Sequence, residues 1–113
     1  MITIEKLEQL GCNTAEGMER CLNDESFYLS LVPGAFERKR YEELERMIRE
    51  SDLKAAFDEA HALKGVLSNL SITPLLDCVS EITERLRAGD KGDYSAILSR
   101  MWEIYSRFEG MLH

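Results

Sequence analysis

The sequence LKAAFDEAHALKGVLSNL, residues 53–70, contains the pattern that decides the fold. When its residues are placed at steps of about 100° around a helix, the apolar ones converge on a single face. Ser51 and Asp52 precede the stretch and supply the type of residue that caps a helix start. The pattern therefore predicts an amphipathic helix that buries one stripe in a core, formed by Leu53, Ala56, Ala60, Leu63, Leu67 and Leu70.

Helical periodicity continues towards the C-terminus, and no segment alternates cleanly at a period of two. Thr73-Pro74 predicts a new helix, with Thr73 as its cap and proline at the first helical position. Residues 89–92, GDKG, are predicted to form a turn, and Asp93 to cap a last helix. The first of these helices carries Leu75, Leu76, Val79, Ile82 and Leu86, and the last carries Tyr94, Ile97, Leu98, Met101, Tyr105, Phe108 and Leu112.

The N-terminal part of the chain predicts shorter helices. Pro33-Gly34 should kink or end one of them, because proline removes a hydrogen-bond donor and crowds the preceding turn. The apolar pattern resumes at Phe36 and continues to Ile48. We therefore expect an all-α fold, an antiparallel up-down four-helix bundle with two short helices capping one end. The predicted N-terminal boundaries are a Thr3 cap and a Gly11 stop, an Asn13 or Thr14 cap, and an Asn23 or Asp24 cap.

The composition excludes several classes of protein. The chain has 113 residues, 44% apolar and 31% charged, which fits a single domain over residues 1–113. Its net charge of −7 argues against nucleic-acid binding. Its apolar runs fall far short of the roughly 20 residues of a membrane span, and its charged N-terminus is unlike a signal peptide. Three cysteines without C-x-x-C spacing predict reduced structural thiols. We therefore expect a cytoplasmic monomer.

His61 lies about 135° from the centre of the apolar stripe, so we predict that it faces solvent. Gly65 follows one turn later on the same side, at a cost of about 1 kcal/mol relative to alanine in a helix. A glycine there leaves space beside the imidazole for the surface of another protein. Lys64 places an ammonium within reach of an anionic group on the ring, and such a charge suits a phosphoryl group.

Other residues on the same side are candidates for partner contact: Lys54, Phe57, Asp58 and Ser68. We predict that Phe57 is an exposed aromatic side chain that a partner covers. Asp58 and His61, at i and i+3, would also suit half of a metal site. That site needs matching ligands on a facing helix, and the sequence has one other histidine, His113.

The pentapeptide His61-Ala62-Leu63-Lys64-Gly65, followed by Asn69-Leu70, resembles the signature of histidine-containing phosphotransfer (HPt) domains. The pattern of that family is His-x-Leu-Lys-Gly, then a small or polar residue, then Leu-Gly, and the layout of helices matches over most of the chain. The chain departs from the pattern in three places. Ser71 stands where the family usually has glycine, Val66-Leu67 replaces residues that are often small, and Pro33 interrupts a helix that is often continuous.

The resemblance implies a carrier in a phosphorelay. His61 would accept a phosphoryl group from the aspartate of a receiver domain and pass it to a second receiver, while Lys64 would steady the phosphohistidine. The implied partners are response-regulator receiver domains and a hybrid sensor kinase. The receiver would bring the magnesium ion, so we expect no cofactor or metal in this chain. We expect no enzyme activity either, because the sequence has no glycine-rich nucleotide loop for autokinase activity.

Two alternatives remain at this point. A helical adaptor would keep the HPt fold without being phosphorylated, and a metal-binding bundle would use Asp58 and His61. His61, Lys64 and Gly65, which occur together here, favour the phosphorelay carrier over the adaptor.

Overall fold

Seven α-helices make up the computed structural model, which describes residues 1–112. Two 3₁₀ turns, Val32–Phe36 and Gly110–Leu112, accompany them. None of the helices in these residues combines the length and the apolar character needed to cross a membrane. The α-helices are α1 (Ile4–Gln9), α2 (Thr14–Arg20), α3 (Glu25–Leu31), α4 (Arg38–Arg49), α5 (Leu53–Leu70), α6 (Thr73–Arg87) and α7 (Ser95–Glu109).

Helices α4 to α7 form the predicted antiparallel bundle. Consecutive helices are joined by short connections at residues 50–52, 71–72 and 88–94, which favours antiparallel neighbours. The last helix, α7, also lies antiparallel to α4, the first helix of the bundle. Arg38 at the start of α4 pairs with Glu109 at the end of α7 at 3.0 Å, and Glu45 further along α4 accepts a hydrogen bond from Trp102 at 3.0 Å. The predicted all-α bundle is confirmed.

The core takes one face from each long helix. The predicted stripe of α5 is buried except for Leu53, which is half-buried because it lies in the first turn at the edge of the bundle. Burial of each leucine stabilises the fold by roughly 1.5–3 kcal/mol. Between α4 and α7 the core is aromatic, and the Tyr41 and Tyr105 hydroxyls donate to backbone carbonyls at 2.6 and 2.8 Å. The rings in this part of the core are Phe36, Tyr41, Tyr105 and Phe108.

Side-chain caps begin most of the helices where the sequence predicts them. Four side chains accept a hydrogen bond from the backbone N–H three residues further on: Thr3, Asn13, Asp24 and Asp52. Asp93 was predicted to cap α7, but Tyr94 is the residue that precedes this helix, and it has no side-chain cap. The Asp93 carboxylate instead accepts from the N–H of Ser95, two residues further on, at 2.8 Å. The prediction that Thr73 caps α6 was wrong. Thr73 is already the first residue of α6, and its hydroxyl accepts from the N–H of Asn13 at 3.2 Å instead.

Pro33 ends α3 rather than kinking it. The α-helix stops at Leu31, the 3₁₀ turn follows, and Glu37 is extended before α4 starts at Arg38. The apolar residues from Phe36 to Ile48 therefore do not continue the helix that Asp24 begins. As a result, three short helices precede the bundle where the sequence pattern led us to expect two.

Helix α2 approaches the end of α5 very closely, and Gly17 makes that approach possible. A Cβ atom on Gly17 would lie 2.6 Å from Cε1 of Tyr28 and 2.7 Å from the carbonyl oxygen of Leu70. The buried Tyr28 hydroxyl donates to that same carbonyl at 2.8 Å. The three groups together hold α2 and α3 against the C-terminal end of α5.

Arg20 completes the end of α5. Ser71 follows the helix with a φ of 54°, in the left-handed region where glycine is the favoured residue. The Arg20 guanidinium donates to Oγ of Ser71 at 2.7 Å and to the carbonyls of Ser68 and Asn69 at 2.9 and 3.2 Å. The carbonyl of Ser68 also accepts from the N–H of Ser71 at 3.2 Å, so Arg20 adds a second donor there and supplies one to Asn69. These bonds offset the strain of a serine at this position.

The cysteines contribute to packing. Cys12, Cys21 and Cys78 are buried free thiols. Burial raises the pKa of the Cys12 thiol to about 11 and also raises the pKa of Cys78. Since the thiolate is the reactive form, neither of these two groups is a nucleophile at neutral pH.

We expect Gly17→Ala to lower the free energy of unfolding by about 1–3 kcal/mol, because the added methyl must displace the Tyr28 ring or the Leu70 carbonyl. Gly65→Ala is a matched control, since a Cβ there meets nothing within 4 Å. This control should gain up to about 1 kcal/mol from helix propensity. Urea denaturation of both variants measures the difference. Equal effects at the two positions would contradict the packing role of Gly17.

Candidate functional site

His61 lies exposed in the middle of α5, as the helical pattern predicts. Both ends of this helix are fixed. Asp52 accepts from the N–H of Ala55 at 3.3 Å at the start, and Arg20 binds the carbonyls at the end. The imidazole therefore stands on a firmly anchored segment, and its surroundings are set by what α3 and α6 place on either side of α5.

On the α6 side, an aromatic ring supports the imidazole. Phe57 stacks on His61 with a centroid distance of 5.7 Å and an interplanar angle of 14°. The guanidinium of Arg87 from α6 lies 5.0 Å from the centroid of Phe57. The prediction of an exposed Phe57 was wrong, because the side chain is half-buried between α5 and α6 and covered by Arg87. The Phe57 ring packs against the imidazole of His61, so less of the Phe57 surface is available to a partner.

Three charged side chains continue this side of the site. Nζ of Lys64 lies 3.9 Å from one oxygen of Glu84, and the other oxygen of Glu84 accepts from Nε of Arg87 at 3.2 Å. Lys64 lies one turn beyond His61, and its side chain is 34% exposed, so the contact with Glu84 leaves part of the ammonium open to solvent.

On the α3 side, the surface beside His61 is an apolar groove. Gly65 lies in it, and a Cβ there would meet nothing within 4 Å. Leu31 is 36% exposed on the opposite wall, and Phe27, one turn earlier on α3, is 49% exposed. We call this surface the α3 groove; its lining residues are Leu31, Gly34, Ala62, Gly65, Val66, Asn69 and Leu70.

The remaining residues predicted for partner contact are exposed on α5. Lys54 and Asp58 form an exposed ion pair at 3.5 Å in the first half of the helix, and Ser68 lies in the second half. The sequence did not predict the α3 groove. The available signal was the pair of apolar residues Phe27 and Leu31 on one helix face, but their position beside α5 depends on where Pro33 ends α3.

Asp58 and His61, the pair considered for a metal site, lie within residues 1–112. Within that range, no group of three or more His, Cys, Asp or Glu side chains is arranged to hold a metal ion. Asp58 and His61 thus have no third ligand of these types there. His113, the other histidine considered from sequence, lies outside the described residues.

The match to a known family covers the whole of the four-helix bundle. The model of the family described as Hpt domain matches residues 36–112, from the end of the first 3₁₀ turn through α7, and His61 lies within the match. The chain therefore belongs to the Hpt domain family. Its members are phosphocarrier modules that act in phosphorelays by histidine phosphotransfer and interact with receiver domains and kinases. Neither a curated protein nor a solved structure matched the chain.

We expect Phe57→Leu to change the imidazole proton resonances of His61, because the ring current of a nearly parallel aromatic ring 5.7 Å away contributes to the magnetic field at those protons. Proton–carbon correlation spectra of the assigned His61 ring measure the change. Phe27→Leu removes an exposed aromatic ring on α3 and is the matched control. If the His61 resonances did not move in Phe57→Leu, or moved equally in the control, the stacked arrangement would be wrong.

Proposed function

We propose that this chain is a phosphorelay intermediate that accepts a phosphoryl group on His61 from the aspartyl phosphate of a receiver domain and passes it to another receiver. The observation that carries the proposal is the setting of His61. The imidazole is exposed at the centre of an anchored helix, open space adjoins it at Gly65, and the Lys64 ammonium lies one turn away.

The proposed reaction is an in-line substitution at phosphorus. Nε2 of the neutral imidazole attacks, the N–P bond forms, and the bond from phosphorus to the aspartyl oxygen breaks. The leaving carboxylate keeps the electron pair, and the ring keeps its other proton until it is released to water. Delivery to the second receiver reverses these steps with a different carboxylate. Such transfer depends mainly on alignment and on stabilisation of charge.

The contributions of the two proteins differ. His61 supplies the nucleophile, Phe57 holds its ring plane, and Lys64 pairs with the phosphoryl oxygens. The receiver supplies magnesium and most of the other catalytic groups, so the carrier needs no cofactor and does not phosphorylate itself from ATP. A hybrid sensor kinase would load the carrier through its own receiver domain, and both would be cytoplasmic.

The α3 groove provides the apolar part of the proposed docking surface. Interfaces between proteins place apolar residues at their centre and polar residues at their rim. Leu31 and Val66 line the groove next to Gly65, and Asp58 and Ser68 lie at the polar edge around His61. We propose that a receiver domain covers the groove and the histidine together, with the carrier as a monomer.

We expect the unchanged protein to take acid-labile, base-stable label from at least one member of a panel of phosphorylated receiver domains. His61→Gln should fold as before, shown by circular dichroism and thermal melting, and take none. His113→Gln is the control and should be labelled normally. Label that persists in His61→Gln, or that maps to His113, would contradict the proposal. Binding of receivers without any label would indicate the helical adaptor.

We expect Gly65→Gln to slow transfer from a receiver sharply, because in-line attack needs the reacting atoms within about 3–3.5 Å and the side chain would fill the open space beside the ring. Phosphoramidate, a small phosphoryl donor, should still label His61 at the normal rate. Ala96→Gln, at an exposed position on α7, is the control and should change neither rate. Transfer from the receiver at the unchanged rate would show that Gly65 is not a docking feature. Loss of both activities would indicate damage to the helix.

A further inference from the structure

Glu84 on α6 takes no part in the proposed transfer, yet it contacts Lys64, one turn beyond His61, and Arg87, which lies against Phe57. One of its oxygens lies 3.9 Å from Nζ of Lys64, and the other accepts from Nε of Arg87 at 3.2 Å. Arg87 is in turn held over the ring of Phe57. The carboxylate therefore lies between two cations, and it attracts the Lys64 ammonium towards α6.

The same ammonium is the group proposed to bind the phosphoryl oxygens, so Glu84 competes with the phosphoryl group for it. A phosphoryl group adds roughly −1.5 to −2 charge to the site. After transfer, Lys64 must leave Glu84 in order to pair with the new anion, and the carboxylate remains nearby as a like charge. Both effects favour the unphosphorylated form of His61.

We propose that Glu84 is a positioning residue that acts through Lys64 to lower the phosphorylated fraction of His61, and so makes the phosphohistidine a better donor. This inference rests on the proposed phosphorelay function and names a regulator of the same site. Glu84 forms and breaks no covalent bond in the transfer. It changes only which anion the Lys64 ammonium pairs with. A carrier must donate the phosphoryl group as well as accept it, and a weaker interaction between Lys64 and the phosphohistidine favours donation.

The expected effect is modest because the side chains are exposed. Glu84 is 58% and Lys64 34% exposed, so water and salt screen their interaction. We expect Glu84→Gln to raise the equilibrium ratio of phosphorylated carrier to phosphorylated receiver about two- to fivefold. The increase should fade in 1 M salt, which distinguishes an effect of charge from a change of structure.

Helix α6 offers a matched control. Glu81 lies one turn before Glu84, is 55% exposed, and pairs with Arg100 of α7 instead of with a residue beside His61. Glu81→Gln removes the same charge from the same helix, and it should leave the ratio unchanged. Thermal melting of both variants checks that the bundle is intact.

The first experiment mixes the carrier, residues 1–113, with a phosphorylated receiver domain that loads the unchanged protein, and measures both labelled species at equilibrium. Lys64→Ala alone should lower the ratio by a few-fold to about tenfold. In the Lys64→Ala background, Glu84→Gln should change the logarithm of this ratio by less than half as much as it does in the unchanged protein. An undiminished effect in that background, or equal ratios in Glu84→Gln and Glu81→Gln, would overturn the inference.

A second experiment separates this inference from the proposed function. Phosphoramidate labels His61 without a receiver, and the stationary phosphorylated fraction, mapped to His61, should be higher in Glu84→Gln than in Glu81→Gln. If no receiver loads the unchanged protein but this difference is found, the proposed function fails and the effect of Glu84 stands. If the two fractions are equal, the inference fails whether or not receivers load the carrier.

Discussion

Burial of one face of α5 is the constraint on which the rest of the structure depends. Ala56 and Ala60 are small, so neighbouring helices approach this face closely, and Leu63, Leu67 and Leu70 fill the space further along. Because an α-helix turns about 100° per residue, burial of these five positions forces His61 to the opposite surface. One helical period thus determines both the core and the location of the His61 side chain.

The two surfaces beside the histidine have different physical character. On the α6 side, Phe57, Arg87, Glu84 and Lys64 form a chain of stacking and charge contacts that leads back towards the ring. On the α3 side, the groove is apolar and open. The first surface suits control of the charge at the imidazole, and the second suits recognition of another protein. Residues 1–35 lie outside the family match, and Leu31 among them forms a wall of the α3 groove.

The sequence predicted those features that depend on local periodicity and on caps. The α5 stripe, the exposure of His61 and the cap at Asp52 belong to this group, because each follows from residues within one or two turns. For the caps of α2 and α3 the sequence left two residues open each time, and the structure selects Asn13 and Asp24. Features that depend on which helices meet were not predictable in the same way. The covering of Phe57 by Arg87 and the contact of Glu84 with Lys64 both require α6 to lie along α5 in one particular register.

The local sequence pattern also failed to predict the structure where one residue is compatible with two conformations. Pro33 is compatible with a kink or with a helix end, and the choice depends on how Phe36 packs against α7. Thr73 has the side chain of a cap residue, but its hydroxyl is used by the N–H of Asn13, which is close only in the folded chain. The roles of His61, Lys64 and Gly65 in phosphoryl transfer, and the single domain over residues 1–113, stay predictions.

The anchoring of α5 at both ends has a consequence for how information is stored. Asp52 holds one end of the helix and Arg20 the other, while Tyr28 and Gly17 lock the neighbouring turn in place. A group attached to His61 would lie between these two anchored ends. The phosphorylated state would therefore differ only by the covalently bound phosphoryl group and its local charge. Only a molecule that contacts the surface around His61 would detect the difference, and the fold of the carrier would be the same before and after phosphorylation.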